Sequence, residues 1–270
     1  MNFEIKIFSE INDELKKSWQ EFEGLSYGYC FQSFDWFETW FEIFRAKNKE
    51  YLLQVVVVKI SSKIICILPF EIKKKNSLNY LNWVGDQHSD YCSPLISKDF
   101  IFNSKNFTDL FNKILKKINK IDIIFLTKQP HQIDQINNPF VSFLKNYQDS
   151  KTFSILLPDN WNNYNKKVLK KEFYLQNVRK KKNLKKEGLL NFKRFEISKN
   201  SSEIIDKLFT QKNLRLTSQG MNTLSTNNLL KFYQELTIKK NKYIQIHLSA
   251  LTFNTELVGI HWGIIYRKRF

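Results

Sequence analysis

No GxxxxGK[ST], GxSxG, HExxH or GxGxxG sequence occurs in this chain. NTP hydrolysis by a P-loop, serine-hydrolase chemistry, zinc proteolysis and a Rossmann dinucleotide site therefore have no support. Cysteine is scarce. Cys30, Cys66 and Cys92 are an odd, scattered set without CxxC spacing, which fits reduced thiols better than a disulfide framework. Long apolar runs are missing too. "YLLQVVVV" and "IICILPF" are the longest, far short of the 18 or so residues a membrane helix needs. The opening "MNFEIKIF" carries Glu4 and no apolar h-region, so neither a signal peptide nor a membrane span is expected and the expected location is cytoplasmic.

What is present can build a core: 42% of the residues are hydrophobic and 15% aromatic, which argues against global disorder. At 270 residues the chain suits one large or two ordinary domains. Lysine outnumbers arginine 37 to 6 and alanine occurs twice, a bias of the kind AT-rich coding produces. Such a bias acts on both halves alike, yet the charge does not. Residues 1–150 hold 19 basic and 18 acidic side chains; residues 151–270 hold 24 and 8. The second half is expected to face something anionic.

Hydrophobic periodicity predicts an α+β pattern that occurs twice. In the first half a strand near 3–8 precedes a helix that Ser9 can cap, running to about Glu23. "FQSFDWFETWFEIF" reads as a helix capped by Ser33, with Phe34, Phe37, Phe41 and Phe44 at helical steps. "YLLQVVVVKI" and "KIICILPFEI" read as a hairpin turning at Ser61-Ser62, and "LNYLNWVG" as a third strand. A helical stripe from Phe107 to Ile118 leads to a strand "IDIIFL", a short helix near Phe140–Tyr147 and a strand "FSILLP". The second half offers a long basic helix over Trp161–Glu187 stopped by Gly188, with Trp161, Tyr164, Val168, Leu175 and Val178 as a docking stripe. A strand "LLNFKRFEI", two helices and a hairpin turning at Asn254-Thr255 follow, then a turn at Arg267-Lys268-Arg269. The expected division is residues 1–155 and 156–270.

Three stretches carry candidate chemistry, each with a plainer alternative. In "GDQHSDYCSPL", residues 85–95, Asp86, His88, Asp90 and Tyr91 can line a pocket as acid, base or hydrogen-bonding groups; the same residues also make an ordinary turn. A metal there has no matching ligand cluster. His261 shares a strand face with Gly259 and Gly263. Small neighbours leave room for a ligand, and a near-neutral imidazole suits proton transfer from an amine or hydroxyl. A half-exposed strand histidine is the plainer reading. The segment Lys166–Lys186 holds ten basic residues and one acidic one, a positive rail suited to phosphates, anionic sugars, RNA or anionic lipid, or simply a solvated lysine face.

In their order, "FQSFDWFETWFEIF", "IICILPFEI", "WVGDQHSDYCSPL", the basic helix and "LVGIHWGIIYRKRF" resemble the CelD-type (BioF-like) acetyltransferases of the GNAT superfamily. That family is associated with cellulose and exopolysaccharide biosynthesis and is similar to the tandem-domain Fem transferases. The resemblance covers nearly the whole chain. It implies tandem GNAT-like domains with mixed, mainly antiparallel sheets flanked by helices. It also implies passage of an acyl group from acetyl-CoA or another acyl-CoA to an amine- or hydroxyl-bearing acceptor, without a metal. By position it assigns His261, Asp90 and Tyr91 to catalysis, and Gln32, Trp36, Arg179 and Lys180 to substrate binding. The helix start that holds the CoA pyrophosphate in that family would fall beyond Phe270. The second domain is therefore expected to be incomplete, the isolated chain inactive on acetyl-CoA, and the last strand an edge that invites dimerisation. Two alternatives stay open: a Fem-like aminoacyl transferase that takes charged tRNA, and a non-catalytic module that binds an anionic polymer.

Overall fold

The computed structural model describes residues 1–45, 51–118, 120–145, 154–223 and 227–270. They hold eight α-helices and mainly antiparallel sheets, the α+β class that the periodicity predicts. The chain divides into two compact units. One comprises residues 1–148, 225–245 and 264–270; the other comprises 149–224 and 246–263.

The first unit is built on a sheet with the order β1 (Glu4–Phe8), β3 (Tyr51–Ile60), β4 (Lys63–Lys75), β5 (Leu78–Trp83), β7 (Ile123–Ile124). The first four strands are antiparallel neighbours; β7 lies parallel to β5 through Tyr80↔Ile123 and Leu81↔Ile124. A parallel neighbour needs a crossover, and α3 (Ser104–Lys117) supplies it. At the other margin β2 (Ser26–Tyr27) pairs β6 (Leu95–Ser97), which pairs β4. Val55 to Val58 are all buried, so β3 is covered on both faces and shows no polar alternation. Phe107, Leu110, Phe111 and Ile114 of α3 share a cluster with Val56, Val58, Leu68, Phe70, Leu81 and Trp83.

Helix α1 (Asp13–Leu25) starts at Asn12, whose side chain accepts from the Leu15 N–H. Ser9 is not the cap, because residues 9–12 carry the chain from β1 before the helix begins. Helix α2 (Phe34–Phe44) is capped by Ser33 as expected, its hydroxyl accepting from the Trp36 N–H at 3.2 Å. Trp19 of α1 stacks on Phe37 of α2 at 4.6 Å. Helix α8 (Asn227–Ile238) packs on α2. Phe232 meets Trp36 edge to face at 4.8 Å, and Glu38 is held between Lys16 and Lys239. Burial alone would raise the Glu38 carboxyl, but the two ammonium groups hold it below its ordinary value. "IDIIFL" pairs only at Ile123–Ile124. The helix expected near Phe140–Tyr147 is α4, Pro139–Phe143; Tyr147 lies outside the described residues. So does Phe153, and Ser154–Pro158 form no strand: the run is largely exposed, with no strand beside it among the described residues to satisfy its backbone.

The last residues of the chain join this unit through a buried polar cluster. The Tyr266 hydroxyl donates to Glu23 at 3.1 Å, and Arg267 donates to the Glu23 carbonyl at 2.6 Å. Arg267 and Arg269 both pair with Asp134. The Glu23 carboxyl also accepts from the Phe34 N–H. Burial pushes it up to about 7 against the pull of these donors.

In the second unit the expected long helix is two. Helix α5 (Trp161–Lys167) ends at Val168, and α6 (Lys171–Glu187) starts after Lys170, which is extended at φ −61, ψ 135. The Val168 and Leu169 N–H groups both turn back to the Tyr164 carbonyl, closing α5. The apolar stripe does not dock: no residue of either helix is buried, and Trp161 is 69% exposed. Gly188 does end α6. A Cβ there would come within 2.7 Å of the tip of the Phe253 ring, so any larger residue would have to displace the Phe253 and Asn254 side chains. Strand β10 (Leu190–Phe195) pairs β11 (Ile244–Phe253), from Leu190↔Phe253 to Phe195↔Leu248, and β11 forms a hairpin with β12 (Glu256–Tyr266). Ile246, Leu248 and Ala250 are buried, as are Ile205 and Phe209 of α7 (Ser201–Ser218).

Candidate functional site

The 85–95 stretch leaves β5 as a tight turn. Gly85 adopts φ +74, where a Cβ would stand 3.4 Å from the Trp40 ring and from Ser89 Oγ; this is a left-handed position with a crowded side, so glycine is required. The turn returns the chain toward Cys30–Gln32, a 3-10 turn preceding α2. Between them lies a narrow crevice with a free volume of about 10 Å3, the size of a single water, with Trp19, Trp36, Trp40 and Trp83 in its lining. The indole N–H groups of Trp36 and Trp83 are buried and find no partner among the described residues.

Four of the assigned residues belong to this unit. Gln32 lines the pocket, but its amide is committed to the fold: Nε2 donates to the Tyr91 carbonyl at 2.6 Å, and Oε1 accepts from the Tyr29 N–H and the Ser93 hydroxyl. It holds the 91–93 segment against the 3-10 turn. Trp36 lines the pocket with its ring against Phe31. Tyr91 is half-buried and stacks on Tyr29 at 5.0 Å. Asp90 is exposed, and its charge contributes to raising Cys30 and Tyr233. Burial pushes the Cys30 and Cys92 thiols up to about 12, so they stay protonated near neutrality and are poor nucleophiles.

His88 carries more geometry than its turn setting predicts. The Trp40 N–H donates to Nδ1 at 3.0 Å, and Phe44 stacks on the imidazole at 4.3 Å. An indole nitrogen only donates, so the neutral ring carries its proton on Nε2. Burial, with the charges of Arg45 and Lys128, holds His88 below its ordinary value. Near neutrality it is therefore a fixed Nε2–H donor rather than a base. Beside it Arg45 pairs with buried Glu71 at 3.4 Å and lies over Tyr51. Burial outweighs that cation and pushes Glu71 up to about 7. The Arg45–Glu71 and Glu23–Tyr266 pairs have no local signature in the sequence; each joins distant elements.

The other three assigned residues belong to the second unit. His261 sits exposed on β12, its ring edge-on to His247 at 5.7 Å. His247 Nε2 lies 3.0 Å from Ser249 Oγ. Burial, Arg194 and His261 hold His247 below its ordinary value, which leaves it neutral. A Cβ on Gly259 would meet only Leu251, at 3.9 Å, so this sheet face is open as the glycine spacing predicts. Beside neutral His247, the exposed His261 imidazole is placed to exchange a proton with a ligand on this face. Arg179 and Lys180 are exposed on α6 and make no ion pair among the described residues.

Among the described residues no group of three or more His, Cys, Asp or Glu side chains is placed to hold a metal, and no helix is long and apolar enough to cross a membrane. The chain matches no protein-family model, no curated protein and no solved structure.

Proposed function

We propose that the chain is a GNAT-type acyltransferase that passes an acyl group from an acyl-CoA to an amine or hydroxyl of a cell-envelope or polysaccharide-related acceptor. The observation that carries the reading is a repeated topology. The order strand, two helices, antiparallel hairpin occurs as β1–α1–α2–β3–β4 and again as β10–α7–α8–β11–β12, with matching strand orders β1-β3-β4 and β10-β11-β12. A repeated order of elements is what the resemblance to tandem acyltransferases implies; α8, the start of β11 and the end of β12 group with the first unit. In this reading His261, with His247 behind it, takes the proton from the acceptor. The roles of Asp90 and Tyr91, which belong to the first unit, rest on the resemblance alone. The alternative, a Fem-like transfer from charged tRNA, rests only on the positive charge of residues 151–270.

The test uses two thioesters with the full chain. Acetyl-pantetheine lacks the nucleotide and so needs no pyrophosphate site; acetyl-CoA has one. Thiol release from acetyl-pantetheine in the presence of amine or hydroxyl acceptors is expected above the buffer rate. It should fall at least tenfold in His261→Gln with the circular dichroism unchanged. Equal rates for the two chains, or release no faster than buffer, would overturn the assignment. Acyl transfer from aminoacyl-tRNA alone would favour the alternative.

A further inference from the structure

We infer that α6, with the exposed basic and apolar stretches on either side of it in the chain, docks on an anionic lipid bilayer surface. Over residues 161–195 there are twelve lysines and arginines against two glutamates. None of these cations makes an ion pair among the described residues. Every residue of α6 is exposed. At about 100° per residue, Lys171, Tyr174, Leu175, Val178, Lys182, Lys185 and Lys186 fall in one sector of about 120°, so that sector is purely basic and apolar. The neighbouring stretches repeat this composition: Leu156 is 93% exposed, Trp161 69%, Leu189 64% and Phe192 69%.

Charge and chemistry choose the occupant. A second copy would set this cationic face against itself in an isologous contact, and like charges repel. Nucleic acid suits the charge but not the apolar groups. Trp161, Tyr174 and Phe192 offer rings to bases, but Leu156, Leu175, Val178 and Leu189, four of the seven exposed apolar groups named, have no ring on which a base could stack. Ten of the twelve cations are lysines, which lack the planar fork that pairs with phosphates and base edges. A bilayer interface uses both kinds of group. Aliphatic and aromatic side chains enter the headgroup boundary, while lysine stems lie along it with their ammonium groups among anionic headgroups. This docking does not depend on the acyltransferase reading.

The experiment is co-sedimentation of the full chain with vesicles of phosphatidylcholine alone and of phosphatidylcholine with phosphatidylglycerol, 3:1, at low and high salt. Wild type is expected to bind the anionic vesicles at least tenfold more tightly than the neutral ones, with Trp161 emission shifting to the blue. Each lysine near an anionic surface contributes about fivefold, so the charge-reversing triple variant Lys182→Glu, Lys185→Glu, Lys186→Glu should lose at least about a hundredfold. The variant Leu175→Gln, Val178→Gln keeps every charge at exposed positions and should still lose severalfold. Equal binding to both vesicles overturns the proposal. So does an undiminished Leu175→Gln, Val178→Gln variant, or tighter binding to a 20-nucleotide RNA at the same salt.

Discussion

The strand–helix–helix–hairpin order is built twice in this chain from different materials. In the first copy the helices bring Leu15, Trp19, Phe22, Phe34, Trp36, Phe37 and Trp40 to less than 5% exposure, and Val55 to Val58 are sealed between them and α3. In the second copy α7 buries only Ile205 and Phe209 among its apolar side chains, β10 has no buried residue, and Phe192 stands 69% exposed; the burial it has lies in β11 and in α8, whose Phe232 and Leu236 pack within the first unit. The charge follows the same division, near balance in residues 1–150 and strongly positive beyond. Topology thus does not require a dense core. A hairpin and its helices can be specified by periodicity and turns, while the depth of packing decides which copy carries stability and which offers surface. Burial at about 25 cal/mol per Å2 of apolar area makes the first copy the stable one.

The largest expected effect tests that contrast directly. Trp40 is 1% exposed and donates to His88; Trp40→Ala should cost about 3–5 kcal/mol in urea denaturation. Phe192→Ala in the second copy should change stability by no more than about 0.5 kcal/mol. Similar losses at both positions would show that the second sheet face is covered in solution.

Next in size is the pH dependence of the first unit. Glu23 and Glu71 are both raised from 4.5 to about 7 by burial. A carboxyl raised in the folded state holds its proton more tightly there than in the unfolded chain. Its stabilising contribution is full below about pH 4.5 and is lost as pH climbs through 7. Stability should therefore fall between pH 5 and 8, by up to about 3 kcal/mol for each group at about 1.4 kcal/mol per pH unit. Glu23→Gln should remove its share of that slope: an amide can accept from the Phe34 N–H and donate to the Tyr266 hydroxyl at any pH. A slope unchanged by that substitution would place the titration elsewhere.

Smaller still is the stability effect of His261→Ala. The side chain is exposed on β12, so the variant should stay within about 0.5 kcal/mol of wild type. A larger loss would mean that the imidazole is structural, and would weaken its assignment to proton transfer.

Much of this was legible because it is local. Ser33 followed by a helical aromatic pattern marks the start of α2, and the stripe from Phe107 to Ile118 marks α3. The period-two runs around Ser61-Ser62 and Asn254-Thr255 mark two hairpins. The errors have physical causes as well. Ser9 and Asn12 are both good caps, and only the path from β1 selects Asn12. Periodicity through Trp161–Glu187 cannot show that Val168 and Leu169 close the first helix on Tyr164, nor that the stripe stays exposed. At the candidate site the residue types of the 85–95 turn were readable, whereas the tautomer of His88 depends on Trp40, 48 positions away. The Ser249 contact of His247 was local but had no motif.

The smallest expected effect sharpens the comparison at the hairpin turns. Ser61 and Ser62 both have positive φ, 47° and 65°, between the paired residues Ile60 and Lys63. This is the two-residue turn that favours Asn-Gly. A non-glycine residue in the left-handed region costs roughly 1–2 kcal/mol, while glycine costs the unfolded chain roughly 0.5–1 kcal/mol of entropy. Ser62→Gly should therefore stabilise the first copy by about 0.5 kcal/mol. In the second copy only Asn254 is left-handed, at φ 54°; Thr255 is not among the positive-φ residues. Thr255→Gly relieves no strain there and adds only the entropy cost, so it should destabilise by about the same amount. Paired thermal denaturation of the two variants reads the difference. Shifts of the same sign would mean that the two hairpins turn alike, and that the copies differ in packing alone.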